Sequence, residues 1–462
     1  MRVIFAAIVL AAVACGEEQM PIPRPDAAVV EKADAASPDA IALQADAESA
    51  APDALVFEPD AAAAPDAALV ADDAASGPRL YPEGVRHSPI DEPLAAELRA
   101  VAARGADRAD DVFAKIGDSI TVSTSFMNCF AGVRVDLAGR DALAPTIAYF
   151  LAGDAAGTNP YVRESAAAGV GWSANYILMN NSALLRQELD AIHPRFAALM
   201  YGTNDVGFRD YDAFARNMVT IVDTLIAEGT IPVLSSIPPR DDDAMIDARV
   251  PAFGGVVRAL AISRSLPFVD YHRELLPIPR HGLAGDGVHP QAAPSGSCVF
   301  TPAGLEYAAN VRNLLVIEAL DRMRRAVIEG EAAPDAIAPR LRGQGTRADP
   351  YVVPSLPFSA SADTRTQGTD EIDRWTACSM TDESGPEIRY RITLAANARV
   401  TATVASGTGA DLDVHLVRAS AGAEGCVARD NREASAELTA GDWDVVVDTY
   451  AGQAGELFLY VR

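Results

Sequence analysis

Lysine is nearly missing from this chain: of its 38 basic residues only Lys32 and Lys115 are lysines, and no Lys/Arg cluster stands out. Against 64 acidic residues this leaves a net charge of −26 over 462 residues. Attraction to phosphate backbones is therefore disfavoured, and nucleic acid is excluded as a partner. The scarcity of lysine is read as genomic base composition and carries no function. Cysteine is scarce too, five in all, and no Cys-x-x-Cys spacing suggests zinc. The apolar run at residues 3–14 is too short to span a bilayer as a stable helix.

What is present begins with an export pattern. Arg2, the short apolar run and Cys15 have the charged start and hydrophobic core of an export signal. Ala12-Val13-Ala14-Cys15 resembles the bacterial lipoprotein box, in which the Cys15 thiol is lipidated, with Ala12 in place of the usual Leu. Ala12-x-Ala14 also suits ordinary signal peptidase, so both a lipid-anchored envelope protein and a released one are open, and both are exported. Residues 16–84 repeat Pro-Asp-Ala at 25, 38, 52, 59 and 65. Proline blocks a continuous helix and like charges resist collapse, so this segment reads as an extended tether. A second linker at 331–349 carries a sixth Pro-Asp-Ala and divides a domain at 85–330 from one at 350–462. In an oxidising compartment Cys129, Cys298, Cys378 and Cys426 read as two disulfides. Three pairings are open, and Cys129–Cys298 with Cys378–Cys426 keeps each bridge inside one domain.

Between 85 and 330 short buried runs alternate with amphipathic stretches, the pattern of a parallel sheet covered by helices. Strands are predicted at 112–116, 196–201, 231–235 and 267–270, and helices at 211–228 and 302–328, the latter capped by Thr301. Open α/β sheets bind ligands beyond the carboxyl ends of their strands, and three motifs fall there or nearby. The first strand runs into Gly117-Asp118-Ser119-Ile120 and the middle one into Gly202-Thr203-Asn204-Asp205. A loop before the last helix carries Asp286-Gly287-Val288-His289-Pro290. Each is ordinary turn chemistry alone; the ordered set is specific.

The residue types fit one reaction. A serine hydroxyl attacks well only when an imidazole takes its proton, so Ser119 and His289 are a candidate nucleophile and base. Asp286, three residues before His289, is spaced to receive the imidazole N–H. The Asn204 amide and the Ser119 N–H are candidate donors to an oxyanion, with a third from the glycine block Ala168-Gly169-Val170-Gly171-Trp172-Ser173, where Gly171 is preferred.

On these residues, segment 110–328 resembles the SGNH (GDSL-like) hydrolase superfamily of esterases and lipases. The resemblance implies a flavodoxin-like three-layer α/β/α domain with Ser119, Asp286 and His289 as triad and Ser119, Gly171 and Asn204 as oxyanion hole. Ile120 stands where the family usually has Leu, and the glycine block lacks the family's preceding Asn. No Gly-x-Ser-x-Gly elbow surrounds Ser119, which argues against the α/β-hydrolase fold.

Other residues receive plain readings. Asp241-Asp242-Asp243 is a solvated loop without a metal; His87, His193, His272, His281 and His415 are ordinary surface histidines. Asp118 and Asp205 hold turns. Beyond 350, period-two alternation at 388–394, 412–416 and 443–447 predicts an antiparallel β-sandwich. Asp411-Leu412-Asp413-Val414 with Leu438-Thr439-Ala440-Gly441-Asp442-Trp443 resembles the bacterial pre-peptidase C-terminal domain, implying an accessory role. Asp411 and Asp413 read as acids on an exposed strand face. The chain is thus expected to be an exported serine esterase needing no cofactor or metal, acting on a lipid or acetylated carbohydrate ester. The competing class is a surface-binding protein on a hydrolase scaffold.

Overall fold

The computed structural model describes residues 77–462 apart from residue 420. The export signal, Cys15 and the tether up to residue 76 lie outside the described residues.

The first domain comprises α1 (Glu92–Ala102), β1 (Ala109–Gly117), α2 (Ser119–Val122), β2 (Val135–Asp136), α3 (Ala144–Ala152), α4 (Met179–Ile192), β3 (Pro194–Met200) and α5 (Tyr211–Ala227). It continues through β4 (Ile231–Ser235), α6 (Ala244–Asp247), α7 (Val250–Ser263), β5 (Phe268–Val269), α8 (Tyr271–Leu275), β6 (Cys298–Val299) and α9 (Ala308–Met323). A parallel sheet of order β1-β3-β4-β5 is buried, as continuous apolar runs such as Phe196 to Met200 require. Helices α5 and α7 pack on each other and on β4; α3 and α9 pack on each other and reach β1 and β5. Helix α5 follows from its spacing: Phe214, Met218, Ile221, Val222 and Leu225 form one buried stripe, and Asp210 caps the start by accepting from the Ala213 N–H at 2.9 Å.

The helix expected over 302–328 is interrupted. Thr301 Oγ1 accepts from the Gly304 N–H, but this caps only a short turn, and α9 starts at Ala308 after an extended Tyr307. Gly304 packs so closely that a Cβ there would lie 2.0 Å from the Val299 carbonyl oxygen, which pins the chain to β6 and breaks the helix.

The second domain is a sandwich of two sheets built from β7 (Tyr351–Val352), β8 (Phe358–Asp363), β9 (Ile388–Leu394), β10 (Ala398–Ser406), β11 (Leu412–Arg418), β12 (Cys426–Asp430), β13 (Glu433–Leu438), β14 (Gly441–Thr449) and β15 (Glu456–Val461). Their orders are β13-β10-β15-β8 and β12-β11-β14-β9-β7, antiparallel except for the β7–β9 pair. Ile388, Tyr390, Val414, Leu416, Val445 and Val447 share an apolar core with Val400, Val404, Leu457 and Leu459.

Two expectations fail on the other face of the β9–β11–β14 sheet. Asp413 is not on an exposed strand face and His415 is not a surface histidine; both are buried. The reason is coverage: Trp375 and Glu383, from the segment between β8 and β9, hydrogen-bond across this face, and the Cys378–Cys426 disulfide ties the segment down.

The linkers are also not spacers throughout. Leu80 N–H donates to Pro339 at 2.8 Å and Leu341 N–H to Pro78 at 3.0 Å. Leu80 is buried in the sandwich core and Tyr81 in that of the first domain, so the expected tether loses residues 77–84. Within 331–349, the Ala338 N–H reaches Asp91 Oδ2 at 2.8 Å and Leu341 is buried. Apolar side chains at these positions outweigh the local Pro/Asp/Ala bias.

Candidate active site

Three loops meet: one beyond the carboxyl end of β1, one between α8 and β6, and one beyond the carboxyl end of β3. At the first, Asp118 is buried and caps α2, its Oδ1 accepting from the Ile120 N–H at 3.0 Å. Burial raises the Asp118 carboxyl above the usual carboxylate range. Ser119 occupies the first helical position, where a backbone N–H has no partner within the helix. From α9, Arg312 donates to the Ile120 carbonyl at 2.8 Å and to Thr121 Oγ1 at 2.9 Å, while its guanidinium lies 3.7 Å above the Phe126 ring. The one-turn helix under Ser119 is thus held at both ends.

At the second, the backbone N–H groups of Val288 and His289 each donate to Asp286 Oδ1 at 3.0 Å, and His289 Nδ1 is 2.7 Å from Asp286 Oδ2. His289 Nε2 is 2.9 Å from Ser119 Oγ. The His289 N–H, ahead of burial's opposing effect and with the Val288 N–H, holds the Asp286 carboxyl down at about 2. Nothing from the neighbouring acidic triplet enters this relay: Asp241 pairs with His281 Nδ1 at 2.6 Å, Asp242 with Arg240, and Asp243 caps α6.

The loops carrying Ser119 and His289, distant in sequence, are stapled. Cys129 is disulfide-bonded to Cys298, and β2 pairs with β6 beside the bridge. Asn313, buried on α9, accepts from the Met127 N–H at 2.8 Å and donates to the Ser125 carbonyl at 2.8 Å and the Ser297 carbonyl at 2.9 Å. Sequence reasoning missed Arg312 and Asn313. Their signal was faint, because polar residues recur along α9 and no spacing reveals which of them are buried.

At the third, Asn204 Nδ2 donates to the Trp172 carbonyl at 2.8 Å, which leaves its second amide hydrogen. Both Asp205 carboxylate oxygens accept from the Ala174 N–H, and burial pushes that carboxyl up to about 6. The two glycines of the block differ. The Gly169 N–H is committed to the Gly117 carbonyl at 3.1 Å beneath the Trp172 indole, whereas Gly171 lies on an exposed turn at φ +76°. Trp172 stacks on Tyr176 with ring centroids 4.5 Å apart.

Residues 115–293 match the family model described as GDSL-like Lipase/Acylhydrolase family. No curated protein matches the chain. A GDSL-like lipase from Bacteroides thetaiotaomicron is similar at 15% identity over 49% of this chain and 98% of its own, with a TM-score of 0.31. A carbohydrate esterase family 3 protein from Talaromyces cellulolyticus gives 19%, 45%, 97% and 0.31 in the same order. The second domain is similar to the pre-peptidase C-terminal domain of a Bacillus anthracis collagenase at 15% identity, over 24% of this chain and 92% of that one, with a TM-score of 0.18. The family match covers residues 115–293, and the reaction class it supports there is carboxylic ester hydrolysis.

Proposed function

We propose that this GDSL-like hydrolase cleaves short acyl esters, O-acetyl groups of carbohydrates among them, through an acyl-enzyme on Ser119. The carrying observation is the continuous relay from Ser119 Oγ through His289 to Asp286, at 2.9 and 2.7 Å. Ser119 Oγ attacks the ester carbon as His289 Nε2 takes its proton. The alcohol then leaves with that proton, and a water deprotonated by His289 releases the acid and restores the serine. Oxyanion charge falls to the N–H groups of Ser119 and Gly171 and the second amide hydrogen of Asn204. Gly171 is preferred to Gly169 because the Gly169 N–H is already bonded.

The Trp172–Tyr176 pair beside Asn204, half-buried at Trp172 and exposed at Tyr176, supports a substrate that presents a flat apolar face, as a sugar ring does. Export, with Cys15 as lipid anchor, belongs to the same proposal; two disulfides in one chain support an oxidising compartment. The test is a panel of p-nitrophenyl esters of rising chain length beside acetylated polysaccharide, with fluorophosphonate labelling. Labelling and hydrolysis are expected in the wild type and absent in Ser119→Ala; hydrolysis that survives in Ser119→Ala overturns the assignment. A folded wild type inert on every substrate would favour a binding role.

A further inference from the structure

We propose that Glu383, His415 and Asp448 form a closed site for a divalent transition metal ion of the Zn2+ class, in the sandwich domain and apart from the esterase site. The three side chains are fully buried, and one donor atom of each lies within 4.8 Å of the others. They come from three places: Glu383 from the segment that covers the sheet, His415 from β11 and Asp448 from β14. Glu383 Oε2 and His415 Nε2 are 2.6 Å apart, so an ion would enter by displacing the proton they share.

The surroundings orient the set as an outer shell does. Trp375 Nε1 donates to Asp448 Oδ2 at 2.8 Å, the Thr449 N–H donates to Asp448 Oδ1 at 2.7 Å, and the Trp375 ring stacks on His415 at 4.6 Å.

A second observation points the same way. Asp413, 1% exposed, lies two residues before His415 on the same face and directly opposite Asp448 in the β11–β14 register. Like charges at opposed positions repel, and a buried carboxylate oxygen without a partner is costly. Arg429 meets Asp413 Oδ1 at 2.7 Å and Glu383 Oε1 at 3.4 Å, but Asp413 Oδ2 has no hydrogen-bond partner among the described residues. This face holds the carboxylates Glu383, Glu387, Asp413, Asp444 and Asp448 against the guanidiniums of Arg389, Arg391 and Arg429. The imidazole decides the class: Ca2+ and Mg2+ prefer oxygen alone, whereas Zn2+ accepts one imidazole with carboxylates. Bound there, the ion would fasten the covering segment to the sheet beside the Cys378–Cys426 disulfide.

The test uses the full chain. Metal content is measured by mass spectrometry after purification without chelator. Chelator-treated protein is then titrated with ZnCl2 and, separately, CaCl2, following tryptophan fluorescence and melting. One Zn2+ per chain is expected, with a change in Trp375 fluorescence and a rise in melting midpoint of about 3 °C at hundredfold excess over Kd. Glu383→Gln should weaken Zn2+ binding by at least about 10-fold while leaving ester hydrolysis unchanged. Absence of stoichiometric zinc together with no Zn2+-induced shift would overturn the site. So would stabilisation by Ca2+ but not Zn2+, or undiminished Zn2+ binding in Glu383→Gln; the wild-type measurements stand even if that variant fails to fold.

Discussion

His289 and Asp286 keep 46% and 50% of their side-chain surface exposed, so the relay does not rely on a dry interior. Its electrostatics come from hydrogen bonds: two backbone N–H donors hold Asp286 ionised down to about pH 2. The carboxylate therefore keeps its charge from neutral to mildly acid pH. Asn204→Ala should cost on the order of 100 to 1000-fold in kcat, measured on an acetyl ester, if the amide serves the oxyanion. Asp205 affects stability with the opposite sign of pH dependence. Burial raises its carboxyl from 3.8 to about 6, so the folded state holds this proton more tightly than the unfolded chain. Its contribution is full below about pH 4 and is lost as pH rises through about 6. Asp205→Asn keeps an acceptor for the Ala174 N–H and should flatten that part of the melting-midpoint profile between pH 4 and 7.

At the scale of elements, the glycine block positions the Asn204 loop. A Cβ on Gly169 would lie 1.9 Å from the Trp172 indole, whereas one on Gly171 would meet nothing within 4 Å. Gly169→Ala should therefore push Trp172 aside and disturb its carbonyl, which holds Asn204, lowering kcat with a smaller effect on KM. Comparable kcat values in the Gly169→Ala variant and the wild type would detach Trp172 from the oxyanion geometry. The buried strand runs were legible because apolar stretches of that length bounded by glycine have few alternatives. The break before α9 was not, because it follows from Gly304 meeting Val299, a contact between distant segments. The covered face of the sandwich escaped for the same reason: alternation marks two faces of a strand but not what lies over the second.

At the scale of the molecule, the sandwich is a bonded part of the hydrolase. Ala405, Phe458 and Tyr460 belong to the first domain's core cluster, and Tyr460 packs against α7 at Gly255. The Ser406 N–H donates to Asp212 Oδ1 at 2.8 Å, Tyr211 donates to Glu433 at 3.1 Å, and Arg264 pairs with Glu456. The full chain should unfold in one calorimetric transition, and removing 350–462 should lower the melting midpoint of the remainder by exposing α5 and α7. Two well-separated transitions would contradict the shared core. The Cys129–Cys298 bridge closes a loop 169 residues apart, so Cys298→Ser should destabilise the protein by about 2–5 kcal/mol, read from denaturant unfolding.

From the chain alone came the fold class, the chemistry implied by a Ser, Asn, Asp and His in that order, and the reading of four cysteines as two bridges, because residue type and periodicity are local properties. Only the tertiary structure decided that Ser119 and His289 lie within hydrogen-bonding distance, that the Gly169 N–H is occupied, and that Asp413 and His415 are buried. Each depends on segments far apart in sequence, and burial is a property of what packs above a residue.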